Sequence, residues 1–389
     1  MPSKEIYVGI VGVGLVGSEL VDQILSIKAE RNPFKIVLLA SSKKALYLNS
    51  ETAVSSSNSW KQALAESQEA ADLSKFAGHL TSLIKSPSAQ AVIVDNTSSD
   101  DVASLYPSWL AQGVSVVTPN KKAFSGPKAT WDGILAASQK EEGGRWLNES
   151  TVGAGLPVIN TLKEMLGSGD RVRKIEGVFS GTMSYIFNNF SAPPAPGATK
   201  PKFSAVVREA RELGYTEPHP ADDLNGFDVA RKLTILARTV SAFSSVQTKL
   251  PELGSFLDVQ TVSLIPAPLE GLASGDEFVN RLAEFDDEMD KLRDDAEKEG
   301  QVLRFVGVVD PEAGIVKAGL EKYVCHFLMT FFMLTERLGT LPPILSPPLL
   351  GARIISSCST PSATVLAHSS SRVPVPVLLL QPWVFSEIS

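Results

Sequence analysis

Cysteine is missing from the first 324 residues, and the chain's two, Cys325 and Cys358, lie near its end. That distribution excludes a disulfide framework, a thiolate metal site and a cysteine nucleophile from the body of the protein. Histidine is nearly as sparse. The four, His79, His219, His326 and His368, lack metal-ligand spacing, and His219 in the EPHP turn reads as a loop residue rather than a base. There is no basic excess either: a net charge of -7 and a pI near 5.3 argue against a nucleic-acid partner, which calls for a basic face. The apolar run from Val324 to Leu334 falls short of the ~20 residues needed to span a membrane. MPSKE leads into a strand-like run without the h-region of a signal peptide or the Arg-rich pattern of a transit peptide. The sequence therefore predicts a cytoplasmic protein with neither nucleic acid nor membrane as a partner.

What is present is an ordinary globular composition, 43% hydrophobic and 20% charged over 389 residues, enough for two or three cores. Residues 6 to 11, IYVGIV, read as a buried parallel strand. Gly12, Val13, Gly14, Leu15, Val16 and Gly17 follow at once and open a helix through about Ile27. Strand, glycine turn and helix in that order form a dinucleotide site. Gly12 permits the tight turn, Gly14 admits the pyrophosphate, and Gly17 lets helix and strand pack, with the helix N-terminus toward the phosphates. The second strand, Lys35 to Ala40, ends without the acid that reads a ribose 2′-OH and continues instead as Ser41, Ser42, Lys43 and Lys44. Those hydroxyls and ammonium groups suit a 2′-phosphate, so NADPH is expected over NADH, although NADH remains possible.

Residues 49 to 75 are Ser- and Ala-rich with helical patches such as Trp60 to Ala65, and read as an inserted loop and helix. Two more strands end in polar turns. Ala91 to Asp95 runs into Asn96-Thr97-Ser98-Ser99, where Thr97 is either a cofactor contact or a helix cap. Ser115 to Thr118 runs into Pro119-Asn120-Lys121-Lys122, which puts a cation at the same sheet edge. The ESTVGAGLP stretch, Glu149 to Pro157, precedes a helix from Leu156 to about Leu166. Its glycines suit either carbonyls converging on a hard monovalent cation or a domain hinge. Lys174 to Ser180 reads as a strand of a second sheet, after which Gly181-Thr182-Met183-Ser184 starts another helix. Residues 191 to 202 read as a mobile loop, Glu277 to Glu299 as a charged amphipathic helix, and Val302 to Val309 and Gly314 to Leu320 as strands.

The densest chemistry lies in Gly214 to Lys232, GYTEPHPADDLNGFDVARK. Two prolines and a glycine keep its first half out of regular helix and place Glu217 on a constrained loop. The second half reads as a helix capped by Asp222 or Asp223, with Leu224, Phe227, Val229, Leu233, Ile235 and Leu236 on its apolar face. Asp228 and Lys232, four residues apart, then point the same way. A carboxylate for a cationic substrate and an ammonium that protonates an oxygen can share that side; the alternative is a solvated surface pair contributing about 0.3 to 0.5 kcal/mol.

GVGLVGS, VDNTSS, TPNKKAF, TVGAGLP, the run from Ile175 through Phe187 (IEGVFSGTMSYIF), and GYTEP through DDLNGFDVARK occur in this order and together cover about residues 4 to 323. In these motifs the chain resembles the homoserine dehydrogenases, which reduce aspartate 4-semialdehyde to homoserine with NADPH or NADH on the route to threonine and methionine. The resemblance implies an α/β fold: a Rossmann-type dinucleotide-binding domain over residues 1–150 and an α+β substrate-binding and dimerisation domain over residues 151–323. It implies a homodimer and a sodium ion. Carried over by motif, Lys232 would protonate the aldehyde oxygen, Glu217 and Asp228 with Gly181 and Thr182 would bind substrate, Lys121 would sit at the nicotinamide and substrate, and Thr97 would touch the cofactor. Glu149, Val152, Ala154 and Leu156 would supply the sodium site. The lack of cysteine before residue 325 excludes the thioester chemistry of the neighbouring aspartate-semialdehyde dehydrogenases.

From Val324 the resemblance stops. The family's GSDN block and GAGAGAA turn are replaced by VCHFLMTFFML, PPILSPP and RVPVPVLLLQPWVFSEIS. Val324-Cys325 can be encoded by a splice-donor sequence, and Arg372 to Ile388 can be back-translated and read two bases later as GAGAGAAAAAMGVLGD. The expectation is a retained intron followed by a frameshift, with 324–389 an aberrant, disordered tail. The alternative to an active dehydrogenase is then an inactive product that at most binds nucleotide.

Overall fold

The computed structural model describes residues 5–54, 59–193, 200–324, 353–356 and 364–366. Two compact units result, the first ending at Thr161 and the second beginning at Leu162. The boundary falls inside a helix, eleven residues beyond the one expected from sequence.

The first unit is built around a six-stranded sheet in the order β3-β2-β1-β4-β5-β6. Its strands are β1 (Ile6–Val11), β2 (Phe34–Ala40), β3 (Ala45–Tyr47), β4 (Gln90–Asp95), β5 (Val114–Val117) and β6 (Trp146–Leu147). All pair in parallel except β3, which folds back antiparallel on β2. The helices are α1 (Leu15–Ser26), α2 (Ser59–Glu66), α3 (Leu73–Ser82), α4 (Asp100–Ser104), α5 (Tyr106–Ala111), α6 (Lys122–Ser125) and α7 (Lys128–Ser138). Alternating strand and helix, with every residue of β1 buried, is the pattern of a doubly covered parallel sheet. Leu20, Val21 and Ile24 of α1 join Val8, Ile10, Leu39 and Val94 in its core. After β1 the chain moves to β2 on one side, and after β4 to β5 on the other. The carboxyl ends of β1 and β4 therefore flank the crevice where such sheets bind ligands.

In the second unit α8 (Ile159–Gly167), which begins just before it, leads to β7 (Ile175–Gly177), α9 (Gly181–Phe190) and α10 (Phe203–Glu212). Then come α11 (Ala221–Leu224), α12 (Phe227–Phe243), β8 (Gln260–Thr261), α13 (Gly275–Leu282) and α14 (Asp286–Lys298). The hairpin of β9 (Gln301–Asp310) and β10 (Ile315–Val324) follows, with β11 (Arg353–Ser356) and β12 (Thr364–Leu366). This sheet runs β12-β11-β7-β9-β10-β8, and only the β8–β10 pair is parallel.

Several expectations shift. The helix expected from Leu156 starts at Ile159, and the strand expected over 174–180 contracts to β7 because Ser180 caps α9 by accepting the Met183 N–H at 3.2 Å. The charged helix expected over 277–299 divides into α13 and α14 around a tight turn at Ala283–Phe285. The 191–202 segment is pinned beside its undescribed residues. Lys200 pairs with Asp294 and Glu297, Lys202 pairs with Asp287 and Asp290, and buried Arg293 donates to the Pro201 carbonyl at 2.7 Å. β10 is described as far as Val324, which pairs with Gln301, the first residue of β9. The expected disordered tail lies outside the described residues apart from β11 and β12, whose backbones extend the second sheet. Among the described residues, no helix is long and apolar enough to cross a membrane.

Candidate active site

The three glycines of the first turn serve three different physical needs. Gly12 has φ +85°, and a Cβ there would meet Thr97 Cγ2 at 2.7 Å. A Cβ on Gly17 would lie 2.2 Å from the Gly12 carbonyl oxygen, so α1 packs on the turn only without a side chain. Around a Cβ on Gly14 there is nothing within 4 Å, which leaves open the side on which a pyrophosphate would approach. The N–H groups of Gly12 and Val13 are spent on the Ala40 carbonyl, at 2.8 and 3.4 Å. Leu15 and Val16 in the first turn of α1 are left as the donors for an anion, while the side chains of Val13 and Val16 pack on the core. Beside this turn lies Asn96, a residue sequence reasoning passed over. Its N–H holds the Val11 carbonyl at 2.8 Å, and both side-chain amide atoms are shielded from solvent without a partner among the described residues. Such a group costs about 1–3 kcal/mol if left unsatisfied. An open cradle and an orphaned amide fit a dinucleotide.

Farther along the same edge, Thr97 Oγ1 accepts the Ser99 N–H at 3.1 Å, and it is Ser99, not Thr97, that caps α4. Lys121 sits half-buried at the start of α6, and its neighbour Lys122 pairs with Asp100. At the end of β2, Ser41 Oγ accepts the N–H groups of Lys43 and Lys44 at 3.3 and 3.0 Å, while the Lys44 ammonium turns to the Ala65 carbonyl. Of the expected cluster, Ser41 thus holds the turn itself and Lys44 ties it to the α2 end. Lys43 and Ser42 stay exposed.

Within the second unit the acidic stretch does not form one helix. Gly226 takes φ +74°, where a Cβ would strike Phe305 and Thr261 at 2.9 Å, and the chain breaks there between α11 and α12. Phe227, expected on the apolar face, is 42% exposed and packs against Phe256 instead. Asp223, expected as a cap, accepts the Glu217 N–H at 2.8 Å and folds the proline loop back onto α11. Thr182 Oγ1 donates to the Tyr215 carbonyl at 2.7 Å, and the Tyr185 and Tyr215 rings meet edge to face at 4.9 Å. The start of α9 and the Gly214–Glu217 loop are therefore fastened together.

Lys232 enters this cluster from α12. Its ammonium donates to the Phe179 carbonyl at 2.6 Å and pairs with Asp228 at 2.7 Å; its side chain is only 16% exposed against 44% for Asp228. A lysine so enclosed and so held is not a solvated surface pair. Two of its three N–H donors are directed at these oxygens, and the third can serve a ligand oxygen. Asp223 has its carboxyl pKa raised above the ordinary range, chiefly by burial and further by the charges of Glu217 and Asp228, against the lowering bond from the Glu217 N–H. Glu217, Asp223, Asp228, Thr182 and Lys232 thus share one electrostatic neighbourhood that an ammonium ligand would relieve. The PADD sequence was the available signal for Asp223; no sequence signal marks the Phe179 carbonyl.

In the ESTVGAGLP stretch the Glu149 carboxylate accepts the N–H groups of Ile159 and Asn160 at 2.7 and 2.9 Å, capping α8. Gly153 and Ala154 follow with φ +83° and +54°, a left-handed pair that turns Val152 and Ala154 in a short span. Glu149 O and Leu156 O already accept the Val152 and Val158 N–H groups, at 3.4 and 2.8 Å.

These two sites sit in segments that match known families. Residues 12–149 fit the model of the homoserine dehydrogenase NAD-binding domain, and residues 157–331 fit that of homoserine dehydrogenase itself. The homoserine dehydrogenase of Saccharomyces cerevisiae is 43% identical over 324 residues, spanning 83% of this chain and 85% of its own length. The chain belongs to the homoserine dehydrogenase family. Its activity is that of an NAD(P)-dependent oxidoreductase. A crystal structure of a Candida auris protein of unknown function is 36% identical with a TM-score of 0.80, covering 99% of this chain and 98% of that one. A hyperthermophilic archaeal homoserine dehydrogenase solved with NADPH shares the fold at 17% identity and a TM-score of 0.60, covering 99% and 98%. In this homoserine dehydrogenase the glycine turn belongs to the cofactor domain and the acid–lysine cluster to the catalytic one.

Proposed function

We propose that the chain reduces aspartate 4-semialdehyde to homoserine, for threonine and methionine synthesis, with Lys232 as proton donor and NADPH as the preferred cofactor. The observation that carries this reading is Lys232 itself, enclosed and bonded to both Asp228 and the Phe179 carbonyl beside three carboxylates. Glu217, Asp223 and Asp228 supply negative charge for the substrate ammonium. The N–H groups of Gly181 and Thr182, at the start of a ten-residue helix and with open space beside Gly181, suit the substrate carboxylate. The bound cofactor supplies hydride to the aldehyde carbon. As the oxygen gains charge, the Lys232 ammonium stabilises it and then passes it a proton; Asp228 and the Phe179 carbonyl keep that ammonium aimed.

On the cofactor side, Leu15 and Val16 N–H groups at the N-terminus of α1 serve the pyrophosphate, Thr97 and Lys121 serve the rest of the cofactor edge, and Lys43 with Ser42 favours a 2′-phosphate. Glu149 with the carbonyls of Val152, Ala154 and Leu156 holds a sodium ion, the left-handed pair at 153–154 supporting that reading. The active species is a homodimer, which sedimentation at micromolar concentration tests. Steady-state assays of semialdehyde reduction with NADPH and NADH test the whole reading. Absence of turnover with either cofactor in folded protein overturns it.

A further inference from the structure

The turns after β4 and β5 share one buried carboxyl. Asp95, the last residue of β4, has no solvent exposure. Its Oδ1 accepts the Thr97 N–H at 2.7 Å, while Oδ2 accepts the Tyr106 hydroxyl at 2.5 Å and the Asn120 amide at 3.1 Å. Asn120 also donates to the Ser99 carbonyl at 3.0 Å and accepts the Lys122 N–H at 3.1 Å. Thr118 closes the network, its hydroxyl accepting the Asn120 N–H at 2.9 Å and donating to the Asp95 carbonyl at 2.8 Å.

Packing alone does not explain this group. β4 is otherwise apolar and buried at Ala91, Val92, Ile93 and Val94, and a carboxyl taken out of water needs compensation that a valine would not. Burial pushes the Asp95 pKa up, and the bonds from Tyr106, Thr97 and Asn120 pull it back. What those bonds accomplish is specific. The Thr97 bond fixes the β4 turn on the carboxyl, and the bonds from Asn120 and Thr118 cross to it from the β5 turn, joining the segment that carries Thr97 to the segment that carries Lys121.

We propose that Asp95 is a positioning residue for the cofactor: it makes the two turns one rigid unit, so that Thr97 and Lys121 present themselves to the dinucleotide from fixed places. This rests on the reading of Thr97 and Lys121 as cofactor residues. Asp95→Asn keeps the shape but sets an amide donor either against the Thr97 N–H or against the Tyr106 hydroxyl and the Asn120 amide, all of them donors. Titration of NADPH by fluorescence should show its dissociation constant raised by about tenfold or more, the usual consequence of losing a charge-assisted bond. The KM for the aldehyde should change by less. Ile6→Ala, a core truncation in the same unit at the far end of β1, where Ile6 pairs with Gln90 rather than with the Asp95 end of β4, should lower Tm yet keep NADPH binding within about twofold, as expected of distant sites. Should Asp95→Asn not fold, Asn120→Ala cuts the same bridge from the β5 side and should raise the NADPH dissociation constant likewise.

Two companion variants, Thr97→Val and Lys121→Ala, separate the possible failures. If they weaken NADPH binding while Asp95→Asn and Asn120→Ala do not, the positioning role is overturned and the cofactor reading stands. If neither companion affects binding, the cofactor reading of the turns falls, and the role of Asp95 with it. A loss in Ile6→Ala equal to that in Asp95→Asn also overturns the proposal, since general destabilisation would then suffice.

Discussion

Lys232 and Asp223 carry the sharpest expectations at the scale of single residues. The Lys232 ammonium is held by a carboxylate and a carbonyl, and its side chain is only 16% exposed. Lys232→Ala should therefore lower kcat by about 10² to 10⁴, the range for a general acid, and leave the NADPH dissociation constant nearly unchanged. A loss of NADPH affinity as large as the loss of rate would remove Lys232 from the chemistry. Asp223 has a raised pKa, so on acidification it takes up its proton earlier than an ordinary aspartate. The protonated form attracts a substrate ammonium less. The acid limb of kcat/KM should accordingly move to lower pH in Asp223→Asn, where that titration is gone, while the plateau falls. An acid limb that stays in place would assign it to another group.

At the scale of elements, the glycine turn separates two kinds of need. Gly17→Ala would drive a methyl group to 2.2 Å from the Gly12 carbonyl, so α1 must move off the turn. Both Tm and NADPH affinity should drop; overpacking of this kind costs about 1–3 kcal/mol. Gly14→Ala meets nothing within 4 Å and has φ -74°, a conformation alanine accepts. Its Tm should match the parent's while NADPH binding weakens, because the methyl group stands in the pyrophosphate's path. Thermal melts beside NADPH titrations decide it, and unchanged binding in Gly14→Ala would place the pyrophosphate elsewhere. The loop that follows α9 depends on a different element. Arg293 on α14 is 5% exposed, donates to the Pro201 carbonyl, pairs with Asp290 and lies over the Phe190 ring. Arg293→Ala should cost about 1–3 kcal/mol in urea unfolding, from the unsatisfied Pro201 carbonyl and the lost bond to Asp290, which keeps Lys202 as its partner.

For the whole molecule, cofactor choice joins charge to solvent conditions. The β2 end carries exposed Lys43 and Ser42 and no acid, so NADPH should be favoured over NADH at low salt. The preference should shrink as ionic strength rises, since exposed charge pairs are screened over about 8–10 Å. Lys43→Glu should reduce or reverse it. Equal kcat/KM with both cofactors at low salt would remove this strand end from selection. The transcript carries a separate expectation: cDNA sequenced across codon 324 should reveal an intron boundary, and an uninterrupted reading of this same tail would sink the frameshift account.

The sequence by itself determined the strand–glycine–helix opening, the two sheets, the family and the pairing of Asp228 with Lys232, because local periodicity and motif spacing are written along the chain. Only the tertiary structure decided what the same residues do when distant segments meet. In its second half GYTEPHPADDLNGFDVARK reads as helix through Asn225-Gly226, a pair that also favours a turn; the fold breaks the helix at Gly226, where Phe305 of β9 and Thr261 of β8 leave no room for a Cβ. Asp223 left its expected cap because a backbone N–H from the proline loop reached it first. Ser41 and Lys44 read as phosphate donors, and the fold adds a bond of each that the sequence does not show, Ser41 to its own turn and the Lys44 ammonium to the Ala65 carbonyl. A polar side chain bonds to whichever partner the fold brings within reach, and that partner can lie anywhere in the chain.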